Sequence, residues 1–142
     1  MLSKSCKYAI RAVVYVASKA GNNLKLGIKE IAKEIDAPEA FTGKILQILT
    51  KHQVISSLKG PYGGFFIEEF QLQQPLLNIV NAIDGLQAFT GCGLGLKFCS
   101  ETKPCPFHYE YKEVRTRMLD TFKNTTVEML AANLERGMAL IH

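Results

Sequence analysis

The sequence predicts a mostly α-helical fold with one small β-hairpin and a long helix on its C-terminal side. Three observations predict it. Apolar residues recur with helical period over residues 4–20, 28–35 and 38–51. Directly afterwards two β-prone runs, Val54-Ile55-Ser56-Ser57-Leu58 and Phe65-Phe66-Ile67, flank the turn-forming stretch Gly60-Pro61-Tyr62-Gly63-Gly64. Further on, Cys92, Cys99, Cys105 and His108 fall within 17 residues, on a stretch whose glycines and prolines let a backbone fold round one point. The chain has 142 residues and is 47% hydrophobic, which suits one domain with a real core.

The first helix is expected over residues 4–20, with Cys6, Ile10, Val13 and Ala17 on its apolar stripe and Lys4, Lys7 and Arg11 on another. Asn22, Asn23 and Gly27 break it. Ile28, Ile31, Ala32 and Ile35 then stand at i, i+3, i+4 and i+7, a short amphipathic helix. Asp36-Ala37-Pro38 makes a tight turn, with Pro38 suited to open the next helix. That helix runs to about Lys51, with Phe41, Ile45, Ile48 and Leu49 inward and Lys44, Gln47, Thr50 and Lys51 outward. Two short helices joined by such a turn are a helix-turn-helix, and the hairpin that follows makes it a winged helix. Lys59 and Tyr62 fall on the wing.

Pro75 opens a helix carrying Leu76, Ile79, Val80 and Ile83, which ends at Asp84 and Gly85. A loop over 91–108 holds the cysteines. The long helix from about Pro106 to Lys123 presents Tyr111, Val114, Met118 and Phe122, a stripe expected to bury against the same helix of a second subunit. Thr125 to Glu128 has the spacing of a capping box for a last helix ending at Gly137. The expected division is a winged-helix DNA-binding domain at 1–85, then the cysteine loop, dimerisation helix and C-terminal helix at 86–142.

Charge is distributed unevenly. Residues 1–60 hold ten Lys/Arg against four Asp/Glu, and residues 61–142 hold seven against nine, giving +6 and −2. A basic half of this kind suits double-stranded DNA, for which Lys4, Lys7, Arg11, Lys44, Gln47, Lys51, Lys59 and Tyr62 are the candidate contacts. The apolar run Ala12–Ala17 is too short to span a membrane and lacks a cleavage signal after it, so a cytoplasmic chain without membrane contact is expected. There, clustered cysteines point to a metal or redox role rather than to disulfides. Cys6 reads as a small buried side chain, His52 as a surface residue and His142 as the chain end. The glycines at 91, 93 and 95 have no βαβ context, and no acid–base pair or nucleophile constellation accompanies the cysteines, which argues against an enzyme.

Taken together, Lys7-Tyr8-Ala9-Ile10-Arg11-Ala12, Ile31-Ala32, Lys44-Ile45-Leu46-Gln47, Val54-Ile55-Ser56-Ser57, Gly60-Pro61-Tyr62-Gly63-Gly64-Phe65 and the Cys92, Cys99, Cys105, His108 set resemble the Rrf-two family of bacterial transcriptional regulators, in its IscR- and NsrR-like, iron-sulfur-binding branch. The resemblance covers nearly the whole chain. It implies a homodimer, a winged helix on operator DNA, a long dimerisation helix, and an iron-sulfur cluster held by the three cysteines, loaded by iron-sulfur assembly machinery. His108 matches the histidine of IscR-like members, whereas NsrR-like members take an acid from the partner's first helix. Lys7 stands at that acidic position and residues 1–29 contain no Asp or Glu, which favours His108 as fourth ligand. The first cysteine gap is six residues here and five in the IscR-like spacing. The expected cofactor is [2Fe-2S], with [4Fe-4S] and zinc as alternatives, and the expected signal is iron-sulfur status, redox or nitric oxide. The rival reading is a winged-helix regulator whose cysteines work as a zinc or thiol redox switch.

Overall fold

Ser3 starts the first helix, its hydroxyl accepting the Cys6 N–H at 3.0 Å, and Asp84 anchors Ser3 in turn by accepting its N–H at 2.9 Å. The resulting α1 (Lys4–Ser18) buries eight of its 15 residues, so it is the central element rather than a surface helix. The computed structural model describes residues 2–136. The expected helix end at Gly137 and the terminal His142 lie outside the described residues.

After a 3₁₀ turn at Ala20–Asn22, α2 (Ile28–Glu34) and α3 (Glu39–Lys51) form the helix-turn-helix. The turn between them is a Schellman closure: Asp36, at φ +53, donates to the Lys33 carbonyl and Ala37 to the Ala32 carbonyl. Aspartate tolerates that left-handed backbone because its short polar side chain can bond locally. The end of α3 repeats the motif with Gln53 at φ +60, its N–H bonding the Thr50 carbonyl and the Val54 N–H the Leu49 carbonyl. Ile48, expected inward, is 40% exposed, and Thr42 and Leu46 take the buried positions instead. The Thr42 hydroxyl is satisfied by the Pro38 carbonyl at 2.9 Å.

The wing is a two-stranded antiparallel sheet, β1 (Ser56–Leu58) and β2 (Gly64–Phe66), with Ser57 opposite Phe65. A third segment joins it: Leu26 and Phe65 exchange both backbone hydrogen bonds, at 2.8 and 2.7 Å. Gly64 makes that approach possible. It sits at φ +144, and a Cβ there would lie 2.7 Å from the Leu26 carbonyl oxygen. Gly64→Ala is therefore expected to open this bridge and cost roughly 2–3 kcal/mol, read as a lower urea midpoint; an unchanged midpoint would remove this account of the wing.

Glu68 precedes α4 (Glu69–Leu72), and the buried Gln71 ties it back to Gln53, donating to that residue's carbonyl at 3.0 Å. Pro75 precedes α5 (Leu76–Ile83); α6 (Gln87–Thr90), α7 (His108–Asn124) and α8 (Val127–Glu135) follow. The cap of α8 is Thr126 rather than Thr125, and it accepts the Met129 N–H at 3.2 Å. Thr125 instead accepts the Leu76 N–H through its carbonyl, and Val127 donates to Gln74. These bonds return α8 to the winged helix, where Val127 and Ala131 join the main core with Ala9, Val13, Ile45, Leu49 and Ile79. The amphipathic face of α8 is thus buried against α1, across the expected division at residue 85. No helix among the described residues is long and apolar enough to cross a membrane.

Candidate metal centre and nucleic-acid interface

The loop between α6 and α7 is folded by its own short-range bonds. The Gly95 N–H reaches the Cys92 carbonyl at 3.0 Å, the Ser100 N–H the Lys103 carbonyl at 3.1 Å, and the Lys103 N–H the Ser100 hydroxyl at 3.1 Å. Gly95 takes φ +71 to make the first of these turns. The turns bring the Sγ atoms of Cys92, Cys99 and Cys105 within 4.8 Å of one another, Cys92 and Cys105 being 3.6 Å apart. His108 begins α7 and is its one buried residue, with Nδ1 3.3 Å from the Cys99 Sγ. The three cysteines thus lie together, and His108 meets one of them, Cys99.

Backbone N–H groups point at the sulfurs: Leu94 at Cys92 and Cys105 at Cys99, both at 3.4 Å. Such donors favour thiolate over thiol. The Leu96 N–H, joined by that of Leu94, brings Cys92 down to about 7, while burial and the neighbouring sulfurs push Cys105 up. Cys92 is thereby shifted towards the thiolate that a bound cation would neutralise. Cys6 behaves oppositely. Burial, followed by the Asp84 charge, pushes its thiol up to about 12, and it lies in a small apolar cluster with Val80 and Phe89, as expected of an inert core cysteine.

One face of α7 is devoted to this loop. His108, Tyr111, Lys112 and Arg115 stand at i, i+3, i+4 and i+7, and each touches it. The Tyr111 ring lies over Gly93, where a Cβ would come within 2.6 Å of the ring. Lys112 pairs with Glu101, and Arg115 donates to the Gly91 carbonyl at 2.7 Å. Glu101 also places Oε1 3.4 Å from Nε2 of His108, and the Lys112 ammonium holds its carboxyl below the usual range. Glu101, Lys112 and Arg115 were absent from the sequence-based candidates. The available signal was the helical register counted forward from His108.

The four residues expected at a subunit interface part company. Tyr111 covers the loop. Met118 and Phe122 pack on the cluster of Cys6, Val80 and Phe89, with the Phe122 and Phe89 rings 5.5 Å apart. Of the four, Val114 alone is exposed, at 60%. A stripe along a helix specifies burial but not whose surface provides it, and here Met118 and Phe122 are partly covered by their own chain.

The candidate DNA contacts gather on the opposite elements. Lys44, Gln47 and Lys51 are exposed along α3, and Ile48 shares their face. Gln47, Thr50 and Lys51 form one wall of a groove, and Ser57, Leu58 and Lys59 form the other. Tyr62, at the wing tip, is 91% exposed. On α1, Lys4 and Arg11 lie over the Tyr8 ring at 5.8 and 5.2 Å, and Tyr8 meets Phe41 of α3 edge-on at 5.6 Å. That stacking sets the basic end of α1 beside the start of α3, with Lys7 exposed near it. The structure adds Lys25, 5.0 Å over the Phe66 ring of the wing, and the groove hydroxyls of Thr50 and Ser57. Lys25 escaped the sequence reading because Leu24-Lys25-Leu26 is too short to announce a strand.

Residues 2–133 match the family Rrf2, described as an iron-dependent transcriptional regulator. A protein of Aquifex aeolicus (strain VF5), provisionally classed as an HTH-type transcriptional regulator, is 30% identical over 132 residues, spanning 92% of this chain and 90% of that protein. The HTH-type transcriptional regulator IscR of Sodalis glossinidius is 24% identical, over 94% of this chain and 80% of that one. Among solved structures, IscR of T. potens superposes with a TM-score of 0.75 at 16% identity, covering 98% of this chain and 91% of that one. CymR, the global cysteine regulator of B. subtilis, superposes with a TM-score of 0.75 at 19% identity, covering 93% and 96%.

Proposed function

The chain belongs to the Rrf2 family of transcriptional regulators, and from that premise we propose that it is a homodimeric repressor or activator whose operator affinity is set by an iron-sulfur cluster on Cys92, Cys99, Cys105 and His108. It is a DNA-binding transcriptional regulator and not an enzyme. One observation carries the cluster reading: three thiols converge beside the start of α7, where His108 meets the Cys99 sulfur, and the far half of the same helix packs on α1 and α5. Three thiols, one of them shifted towards thiolate, and a buried imidazole fit the donor preference of iron-sulfur centres. When bound, such a cluster supplies a centre that oxidants, nitric oxide or iron loss can alter.

The residues of the chain do the mechanical part. With the donors tied to one centre, the loop over 91–108 keeps its fold, and Tyr111, Lys112 and Arg115 hold α7 against it. Release of the donors removes that constraint. A shift of α7 is then felt at Met118 and Phe122, through Cys6 and Val80, by the helix that carries Lys4, Lys7 and Arg11. In a dimer, formed here over the outward side of α7 at Val114, the spacing of the two α3 helices follows. Lys44, Gln47, Lys51, Lys59 and Tyr62 would meet the operator from the groove and the wing. The protein would act in the cytoplasm, with [2Fe-2S] loaded by assembly machinery.

A second reading, a zinc or thiol switch, is favoured by the compactness of the sulfurs, all within 4.8 Å. Two thiolates on one zinc ion lie about 3.8 Å apart at ordinary bond lengths. Metal and acid-labile sulfide analysis of protein purified without oxygen, with operator titrations before and after the centre is stripped, separates the two. Iron with matching sulfide supports the cluster, and stoichiometric zinc without sulfide supports the switch. Protein that stays colourless after anaerobic reconstitution with iron and sulfide would sink the cluster reading.

A further inference from the structure

His108 is 6% exposed, and its Nε2 is a buried polar atom with no hydrogen-bond partner among the described residues. Its Nδ1 is occupied on the sulfur side, 3.3 Å from the Cys99 Sγ. A neutral imidazole carries its proton on one nitrogen only, so the face that offers a lone pair to the sulfurs is decided by what stands at the other nitrogen. There the Glu101 Oε1 lies 3.4 Å away, within reach of Nε2 but not aligned for a hydrogen bond. Two elements fix Glu101. It follows Cys99 by two residues on the loop, and its carboxylate pairs with Lys112, one turn after His108 on the same face of α7.

We propose that Glu101 is a positioning residue for the centre: it accepts the Nε2–H of His108 and so holds the ring in the tautomer whose Nδ1 lone pair faces the three sulfurs, with Lys112 holding Glu101 in turn. The inference rests on reading Cys92, Cys99, Cys105 and His108 as ligands. Glu101 itself stays outside the donor set, since it meets the other ring nitrogen. An uncharged acceptor suffices for the role, so glutamine is the conservative replacement and alanine the disabling one.

Two measurements on the full-length protein test this. Ring-nitrogen chemical shifts of isotope-labelled histidine report the tautomer in metal-free protein, where three histidines give a resolvable spectrum. Anaerobic titration with Co(II) alone reports the site through thiolate-to-metal absorption. In the wild type the His108 proton is expected on Nε2. Glu101→Ala should move it towards Nδ1 and weaken cobalt binding about 10- to 100-fold, the usual effect of losing an outer hydrogen-bond partner of a ligating histidine. Glu101→Gln should keep the wild-type tautomer and most of the affinity. A wild-type proton on Nδ1, or a Glu101→Ala variant with unchanged tautomer and affinity, overturns the proposal. Cys99→Ala in the same titration separates the causes. If it binds cobalt as the wild type does, the ligand set itself fails; if it loses cobalt while Glu101→Ala keeps both properties, only the role of Glu101 fails.

Discussion

Cys99→Ala is expected to abolish retention of metal and sulfide while leaving a folded protein whose operator affinity differs from that of the loaded wild type by about one to two decades, a coupling of about 1–3 kcal/mol. Cys99 is the node of the centre: its sulfur meets the imidazole of His108 and accepts the Cys105 N–H. Removing it leaves Cys92 and Cys105 in contact but takes away the sulfur that meets His108. The fold should survive, because neither core cluster draws a side chain from residues 91–107. Circular dichroism and thermal melting check the fold, metal and sulfide assays check the centre, and fluorescence anisotropy with labelled operator at fixed salt checks the coupling. Equal affinity of loaded wild type and Cys99→Ala would defeat the link between loop and DNA, and an unfolded variant would defeat the placement of the loop outside the core.

The second large effect is on DNA binding itself, where Lys59→Ala and Gln47→Ala should fail in different ways. Lys59 stands on the wing wall of the groove and Gln47 on the α3 wall. A lysine at a phosphate releases a counterion when it binds, so Lys59→Ala should weaken binding to every sequence and flatten the logarithmic salt dependence by about 0.9 for the phosphate it no longer neutralises. Lys44→Ala should do the same. Gln47 can read an adenine edge through its amide, and Gln47→Ala should cost about 1–3 kcal/mol at the preferred operator while leaving the salt slope as it was. Ile48, turned outward beside Gln47, adds an apolar group suited to a thymine methyl. Binding curves at several salt concentrations decide the matter. A Lys59→Ala slope equal to that of the wild type would remove the wing from the interface.

The winged helix was legible because it is written in local signals. Ile28, Ile31, Ala32 and Ile35 set the period of α2, Pro38 and the left-handed Asp36 set the turn, and Gly60 to Gly64 set the wing. The candidate metal centre was legible for a similar reason: three of the four cysteines fall close to a histidine on one glycine- and proline-bearing stretch. What escaped were pairings between segments distant in sequence. The Leu26–Phe65 bridge, the return of Val127 and Ala131 to the core, and the packing of Phe122 on Phe89 depend on which surfaces α1 leaves uncovered. No window of one segment contains that information.

The sequence alone thus determined the type of each main element, the basic face and the candidate donors, since periodicity, capping and charge act over a few residues. Only the tertiary structure decided which neighbours each part of the long helix meets. The residues of α7 that read as a single apolar stripe are split by its surroundings. Its first turns hold the cysteine loop through Tyr111, Lys112 and Arg115, and its later turns pack on the apolar cluster of Cys6. A helix buries whatever face its neighbours leave open, so its task follows from packing and not from its own pattern.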